Sequence, residues 1–202
     1  MNHLIIIAHP KEESFSQLIR KELEFRFEEK GDHVKIRDLY KMNFNPVLTE
    51  GELKYIKEGN VCPDILVEQS YILWADEITM IYPLWWNAFP AIMKGYIDRV
   101  FTNGFAFTIT DKGTIGLLKE KKVRLITTAG MTEESLKQEN VYEGLNITQD
   151  HGVFEFCGME VIDHLYVTEV TSLSEEEKRE ELNRLNERIL EKELKKVYEG
   201  KG

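Results

Sequence analysis

Cysteine is scarce in this sequence: Cys62 and Cys157 are the two present in 202 residues, and they form no Cys-x-x-Cys pair. That excludes a disulfide framework and a thioredoxin-type redox motif, and it fits free buried thiols in a reducing compartment. Long apolar runs are missing as well. Nothing approaches the roughly eighteen consecutive apolar residues of a membrane-spanning helix. The opening MNHLIIIAHP carries an apolar stretch too short for a signal-peptide core, with no basic lead-in. The expectation is a cytoplasmic chain with no membrane insertion. Basic charge is also in deficit, with 26 Lys and Arg against 36 Asp and Glu. A nucleic-acid partner is therefore not expected, since phosphate contacts need clustered cations. Neither Gly-x-Gly-x-x-Gly nor the P-loop pattern occurs, which sets aside both common nucleotide fingerprints. No metal is expected. No repeat, low-complexity segment or linker divides the chain, so one domain over residues 1–202 is the economical reading.

What is present is an ordinary globular composition, 42% hydrophobic and 31% charged, which argues against disorder. Leu4 to Ala8 is a continuous β-branched run, the signature of a strand buried on both faces of a parallel sheet. Ser14 to Glu29 has helical periodicity with Ser14 or Ser16 as N-cap. His33 to Leu39 reads as a strand, residues near 50–58 as a short helix and Pro63 to Trp74 as another. Glu77 to Tyr82 is a third strand, stopped by Pro83. Pro90 to Phe101 is a helix with Pro at its start. Lys122 to Thr128 is a fourth strand, one helix is expected between Glu133 and Cys157, and Val161 to Val167 is a fifth strand. Ser174 to Tyr198 is a long helix opened by a Ser174/Glu177 capping box, with Glu and Lys interleaved through Glu191 and Glu193 as a solvated face. This alternation predicts an α/β fold of flavodoxin-like type, a five-stranded parallel sheet with helices on both faces.

In such a sheet, ligands bind beyond the carboxyl ends of the strands near the switch point. Three loops lie there. The first places His9, Ser14, Phe15 and Ser16 before a helix N-terminus, a ready anion site. The second holds Pro83, Leu84, Trp85, Trp86 and Asn87, and two adjacent tryptophans in a connection are costly unless a planar ligand or a subunit covers them. Alternatively, one Trp packs under the sheet and the other fills an interface. The third, Thr127, Thr128, Ala129 and Gly130, allows close backbone approach. Together they point to a planar ligand that carries a phosphate.

The segments IIIAHPKEESFSQ, YPLWWNAFPAIMKGYIDRVFTNGFAF, TTAG and FEFCGMEVIDHLYV resemble, in that order, the NAD(P)H:quinone oxidoreductase family of flavodoxin-like proteins. That group takes in mammalian quinone reductases, bacterial modulator-of-drug-activity proteins and ancillary subunits of potassium efflux systems. The resemblance implies a bound flavin, hydride from NADH or NADPH, ping-pong transfer to a quinone or similar acceptor, and a homodimer. It implies that His9, Ser14, Phe15 and Ser16 hold the flavin phosphate side. Pro83 to Asn87 would line the ring, Thr127 to Gly130 would meet its other edge, and Phe105 and Phe107 would face the acceptor pocket across the dimer. Shorter bacterial members use FMN, so FMN is expected, with FAD as the other option. Met131 to Asn140 carries neither Tyr nor His, and no catalytic acid or base is assigned. Two other roles are a regulatory subunit docked on a potassium efflux transporter and a flavodoxin-like electron carrier.

Overall fold

A computed structural model describes residues 1–199, with side chains described through Ile189; Glu191 and Glu193 of the expected charged face, and residues 200–202, lie outside. In chain order the elements are β1 (Asn2–Ile7), α1 (Phe15–Glu29), β2 (His33–Asp38), α2 (Glu50–Lys57), α3 (Pro63–Trp74), β3 (Glu77–Pro83), α4 (Ala91–Val100), β4 (Phe107–Thr110), β5 (Gly113–Gly116), β6 (Lys122–Thr128), α5 (Glu133–Gln138), α6 (Val141–Leu145), a π-helix (Asn146–Glu155), β7 (Glu160–Val167) and α7 (Glu175–Glu199). The main sheet has the order β2-β1-β3-β6-β7 and every pairing in it is parallel. Counted within that sheet the order is 2-1-3-4-5, with the direction of winding reversing between β1 and β3, as expected for a flavodoxin-like fold.

The physical reason is visible strand by strand. Leu4 to Ile7 and all of β3 are buried, so each residue serves one of two apolar layers. Leu4, Ile6, Ile78, Met80 and Tyr82 face the layer with α3 and α4. Ile5, Ile7, Ile81, Ile126 and Leu165 face the layer with α1 and α7. At about 25 cal/mol per Å² of apolar surface removed from water, these two layers are the main stabilising term. Ser14 caps α1 by accepting from the Gln17 amide, and Ser174 and Glu177 form the expected reciprocal capping box at α7.

Two segments differ from the sequence reading. The single helix expected between Glu133 and Cys157 is divided into α5, α6 and the π-helix, because Asn140 adopts a left-handed φ of 53° that breaks the path. Residues 107–116 form a β-hairpin, β4 with β5, whose four-residue strands are too short to show alternation. Gly116 is required where the hairpin's base meets the turn at Gly158: a Cβ there would lie 2.3 Å from the Gly158 nitrogen.

Candidate functional site

At the carboxyl edge of the sheet the three loops meet. Ser16 Oγ and Thr128 Oγ1 are 3.0 Å apart, joining the first loop to the third. The Leu84 amide donates to the Thr128 carbonyl at 2.7 Å, joining the second to the third. The His9 and Trp85 rings lie 6.3 Å apart, bringing the first to the second. Beside them opens a cleft of about 700 Å³ lined by His9, Ser14, Ser16, Thr128, Thr171 and Lys178, among others.

The first loop is built to receive an anion. The amides of Phe15 and Ser16, in the first turn of the 15-residue α1, make no hydrogen bond among the described residues, and the helix dipole favours negative charge there. His9 Nδ1 accepts from the Lys11 amide at 3.1 Å, so a neutral His9 carries its proton on Nε2 and offers a donor. Burial lowers the His9 pKa, and the neighbouring Lys11 charge lowers it further. The Phe15 ring is in the core with Ile19 and Leu23. Phe15 is nonetheless among the residues that line the cleft.

The second loop is a tight turn. Trp85 and Ala88 exchange main-chain hydrogen bonds at 3.3 and 3.1 Å, and Trp86 and Asn87 between them have φ of 54° and 52°. Left-handed backbone is routine for Asn and costly for a bulky residue such as Trp. Trp86 is fully exposed and Trp85 is 41% exposed. The reading in which one tryptophan packs under the sheet is therefore set aside. The Trp85 amide is consumed by the turn. Those of Trp86 and Asn87 make no hydrogen bond among the described residues and are main-chain donors this loop can offer. Pro83 is buried as the last residue of β3, and Leu84 packs against the small cluster of Ala129, Leu136, Val141 and Leu145.

In the third loop the two threonines part company. Thr128 lines the cleft. Thr127 points to the other face of the sheet, where it is wholly buried and bonded to His164, so its side chain does not meet the cleft, contrary to expectation. The Ala129 amide is spent on Val167. Gly130 is not held to glycine by the protein itself: a Cβ there would meet Thr171 at an ordinary 3.8 Å. Phe105 and Phe107 are half-buried against the α3–α4 layer, Phe107 with its ring 5.3 Å from Phe156. The exposed large apolar side chains of the hairpin are Ile109, at 69%, and Ile115, at 42%.

The sequence reading missed a buried polar group behind these loops. Asp150 Oδ1 is 2.8 Å from His164 Nδ1, and His164 Nε2 is 3.0 Å from Thr127 Oγ1. Tyr82 donates its hydroxyl to Gln149, and burial raises its pKa well above the ordinary phenol value. The pair Gln149–Asp150 sits on the π-helix, whose i→i+5 turns are wider than α-helical ones and recur at functional sites. A buried Asp, His and Thr on separate elements leave no sequence spacing that would reveal them.

Comparison with known proteins agrees with this geometry. The model of the family described as flavodoxin-like fold matches residues 1–192. An NAD(P)H oxidoreductase of Haemophilus influenzae, named as uncharacterised, is 44% identical over 164 residues, covering 81% of each chain. The NAD(P)H dehydrogenase [quinone] 1 of Cavia porcellus is 32% identical over 181 residues, covering 79% of this chain and 66% of that protein. Among solved structures, the NAD(P)H:quinone oxidoreductase of Methanothermobacter marburgensis superposes with a TM-score of 0.82 at 28% identity, covering 91% of this chain and 92% of the other. Strand order, loop geometry and these relatives agree: the chain belongs to the flavodoxin-like fold family, within its group of NAD(P)H oxidoreductases and quinone reductases.

Proposed function

We propose that this chain is a flavin-dependent NAD(P)H oxidoreductase that passes hydride to a quinone or similar planar acceptor by a ping-pong route. The observation that carries the reading is the Trp85–Ala88 turn. It holds an exposed ring and two unbonded amides, at left-handed backbone, beside an anion cradle at the start of α1. A flavin supplies both a planar ring and a phosphate, and when bound it carries the hydride chemistry. The protein binds and orients. The amides of Phe15 and Ser16 with His9 Nε2 would hold the phosphate. The amides of Trp86 and Asn87 would meet the ring's polar edge, and Gly130 leaves room at the other. Preorganised N–H donors of this kind stabilise negative charge where it develops. FMN is the proposed flavin, and the working unit is proposed to be one flavin-binding domain in a homodimer, in the cytoplasm.

The overall reaction balances as NAD(P)H plus one proton plus quinone giving NAD(P)⁺ plus hydroquinone. The supporting result is a yellow purified protein that releases FMN on denaturation, identified by chromatography, and that oxidises NAD(P)H when menadione is added. A colourless protein that stays colourless after incubation with FMN and with FAD overturns the reading. Release of FAD corrects the cofactor and keeps the function.

A further inference from the structure

A second cavity, of about 350 Å³, opens against β7, the last strand in the order of the main sheet. The start of α5, α6 and β7 wall it on one side, and α7 on the other. It shares no lining residue with the cleft beside the three loops, which holds about 700 Å³. Small-molecule pockets run from roughly 300 to 1,000 Å³. This one lies at the low end and suits a ligand of a single ring.

One wall is aromatic and fixed in place. His164 and Tyr166 are two residues apart on β7 and so share a face of the strand. Their rings stack with centroids 4.2 Å apart. Tyr142 meets Tyr166 edge to face at 4.6 Å. Both His164 nitrogens are taken, one by Asp150 and one by Thr127, so it offers the cavity only its ring. The hydroxyls of Tyr142 and Tyr166 find no partner among the described residues. Burial raises the pKa of both phenols, which keeps them protonated and able to donate.

The facing wall is cationic. Arg184 and Arg188 stand four residues apart on α7 and both line the cavity. Arg188 donates from Nη2 to Asp163 Oδ1 at 3.0 Å, and that carboxylate is 4% exposed. A guanidinium carries five N–H donors in a rigid fork, so the tether orients the head and leaves donors over. Arg184 bonds to Glu181 on its own helix, a surface pair of a kind that contributes little and yields to another anion. Two like charges at this spacing repel each other, and an anion seated between them relieves that repulsion. The carboxylate that lines the cavity, Glu133, is itself paired with Lys137.

We infer that this cavity is a second ligand site, and that it takes a small aromatic carboxylate, its carboxylate on Arg184 and Arg188 and its ring beside Tyr142 and Tyr166. Carboxylate and guanidinium form charge-assisted hydrogen bonds in matched geometry, and aromatic rings gain from offset or edge contacts with one another. A neutral ring leaves the two cations facing each other. An aliphatic anion forgoes the ring contacts. The site is separate from the flavin cleft, and the inference does not rest on the flavin reading.

The experiment is calorimetric titration of the purified full chain with salicylate, with backbone amide chemical shifts to locate the ligand. One saturable site per chain is expected. Shifts should centre on Tyr166, Thr168 and Arg188 and leave Ser16 and Thr128 unmoved, and added FMN should not displace the ligand. Salicylamide, which lacks the charge, should bind about tenfold more weakly. Cyclohexanecarboxylate, which lacks the aromatic ring, should bind about threefold more weakly. R188Q should cost about tenfold in affinity. Because R188Q leaves Asp163 buried without that cation, R184Q and Y166F serve beside it; neither strands a buried charge, and each should cost about threefold or more. Absence of saturable binding overturns the proposal, as does equal binding of salicylamide or an affinity unchanged in both R184Q and Y166F. Shifts centred on Ser16 and Thr128, or displacement by FMN, put the ligand in the cleft and overturn it equally.

Discussion

The hydroxyls of Ser16 and Thr128 stand 3.0 Å apart and buried, although 112 residues separate them in sequence. They tie the first turn of α1 to the end of β6, the two sides of the cleft. Ser16→Ala removes a partner and leaves Thr128 unsatisfied, at a cost of about 1–2 kcal/mol in stability. FMN affinity is expected to fall by roughly tenfold, the equivalent of ~1.4 kcal/mol. A double cycle with Thr128→Val should give less than the sum of the single effects, since both remove one contact. Flavin fluorescence titration and denaturant unfolding measure the two quantities.

The turn at Trp86 separates a ligand role from a core role. Its ring is fully exposed, so Trp86→Ala should leave the unfolding free energy of flavin-free protein within about 0.5 kcal/mol, as for surface positions, while flavin retention weakens. Trp86→Gly should raise flavin-free stability by about 1 kcal/mol, because glycine takes φ of 54° without strain. Loss of stability in Trp86→Ala would show that the ring packs in the core of the protein in solution.

Much of this architecture was legible because buried parallel strands cannot alternate. The runs Leu4 to Ala8 and Glu77 to Tyr82 gave the strands, and Ser14 and Ser174 gave two helix starts. The three loops could be named from strand ends alone, and the structure brings them together. The turn at Trp86–Asn87 was hidden because left-handed backbone is read from Gly, Asn or Asp, and its first position here is a bulky Trp. Thr127 and Thr128 looked equivalent until the period-two alternation of β6 sent one to each face. His164 lay in a strand with mixed residues on both sides, and its partner Asp150 comes from a π-helix that has no periodic signature. Such polar networks depend on tertiary placement that no local pattern encodes.

His9 gives the site a pH dependence with a definite sign. Its pKa is lowered in the folded chain by burial, so the unfolded chain binds this proton more readily. Its contribution is therefore neutral above about pH 6.5, the ordinary histidine value. Stability declines as pH falls below that value toward the lowered one. His9→Asn should flatten that acid limb in thermal melts of the flavin-free protein. A bound phosphate opposes the shift by favouring the imidazolium, so on going from pH 8 to pH 6 the protection given by FMN or inorganic phosphate should change more favourably in the wild type than in His9→Asn, the phosphate's own second ionisation being common to both. These comparisons use the same protein and read only a change in slope.

The segment before α2 is fastened to α4 by two features that act together. Arg99, buried, donates to both oxygens of Glu52 at 2.9 and 3.0 Å, to the Asn45 carbonyl at 2.9 Å and to Asp64 at 2.9 Å. One turn earlier Gly95 lets Pro46 lie on the helix, where a Cβ would come within 2.2 Å of the Pro46 carbonyl oxygen. Arg99→Ala leaves the carboxylate of Glu52 buried without its cation, a defect of about 3–5 kcal/mol. Arg99→Met with Glu52→Leu removes both charges and should recover much of that loss, because the cost lies in the orphaned charge and less in the missing attraction. Gly95→Ala forces main chain to move and should destabilise by about 1–3 kcal/mol, even though alanine is the better helix former. Urea unfolding of the four proteins decides it. If Gly95→Ala is stabilising instead, the Pro46 contact yields in solution and helix propensity governs that position.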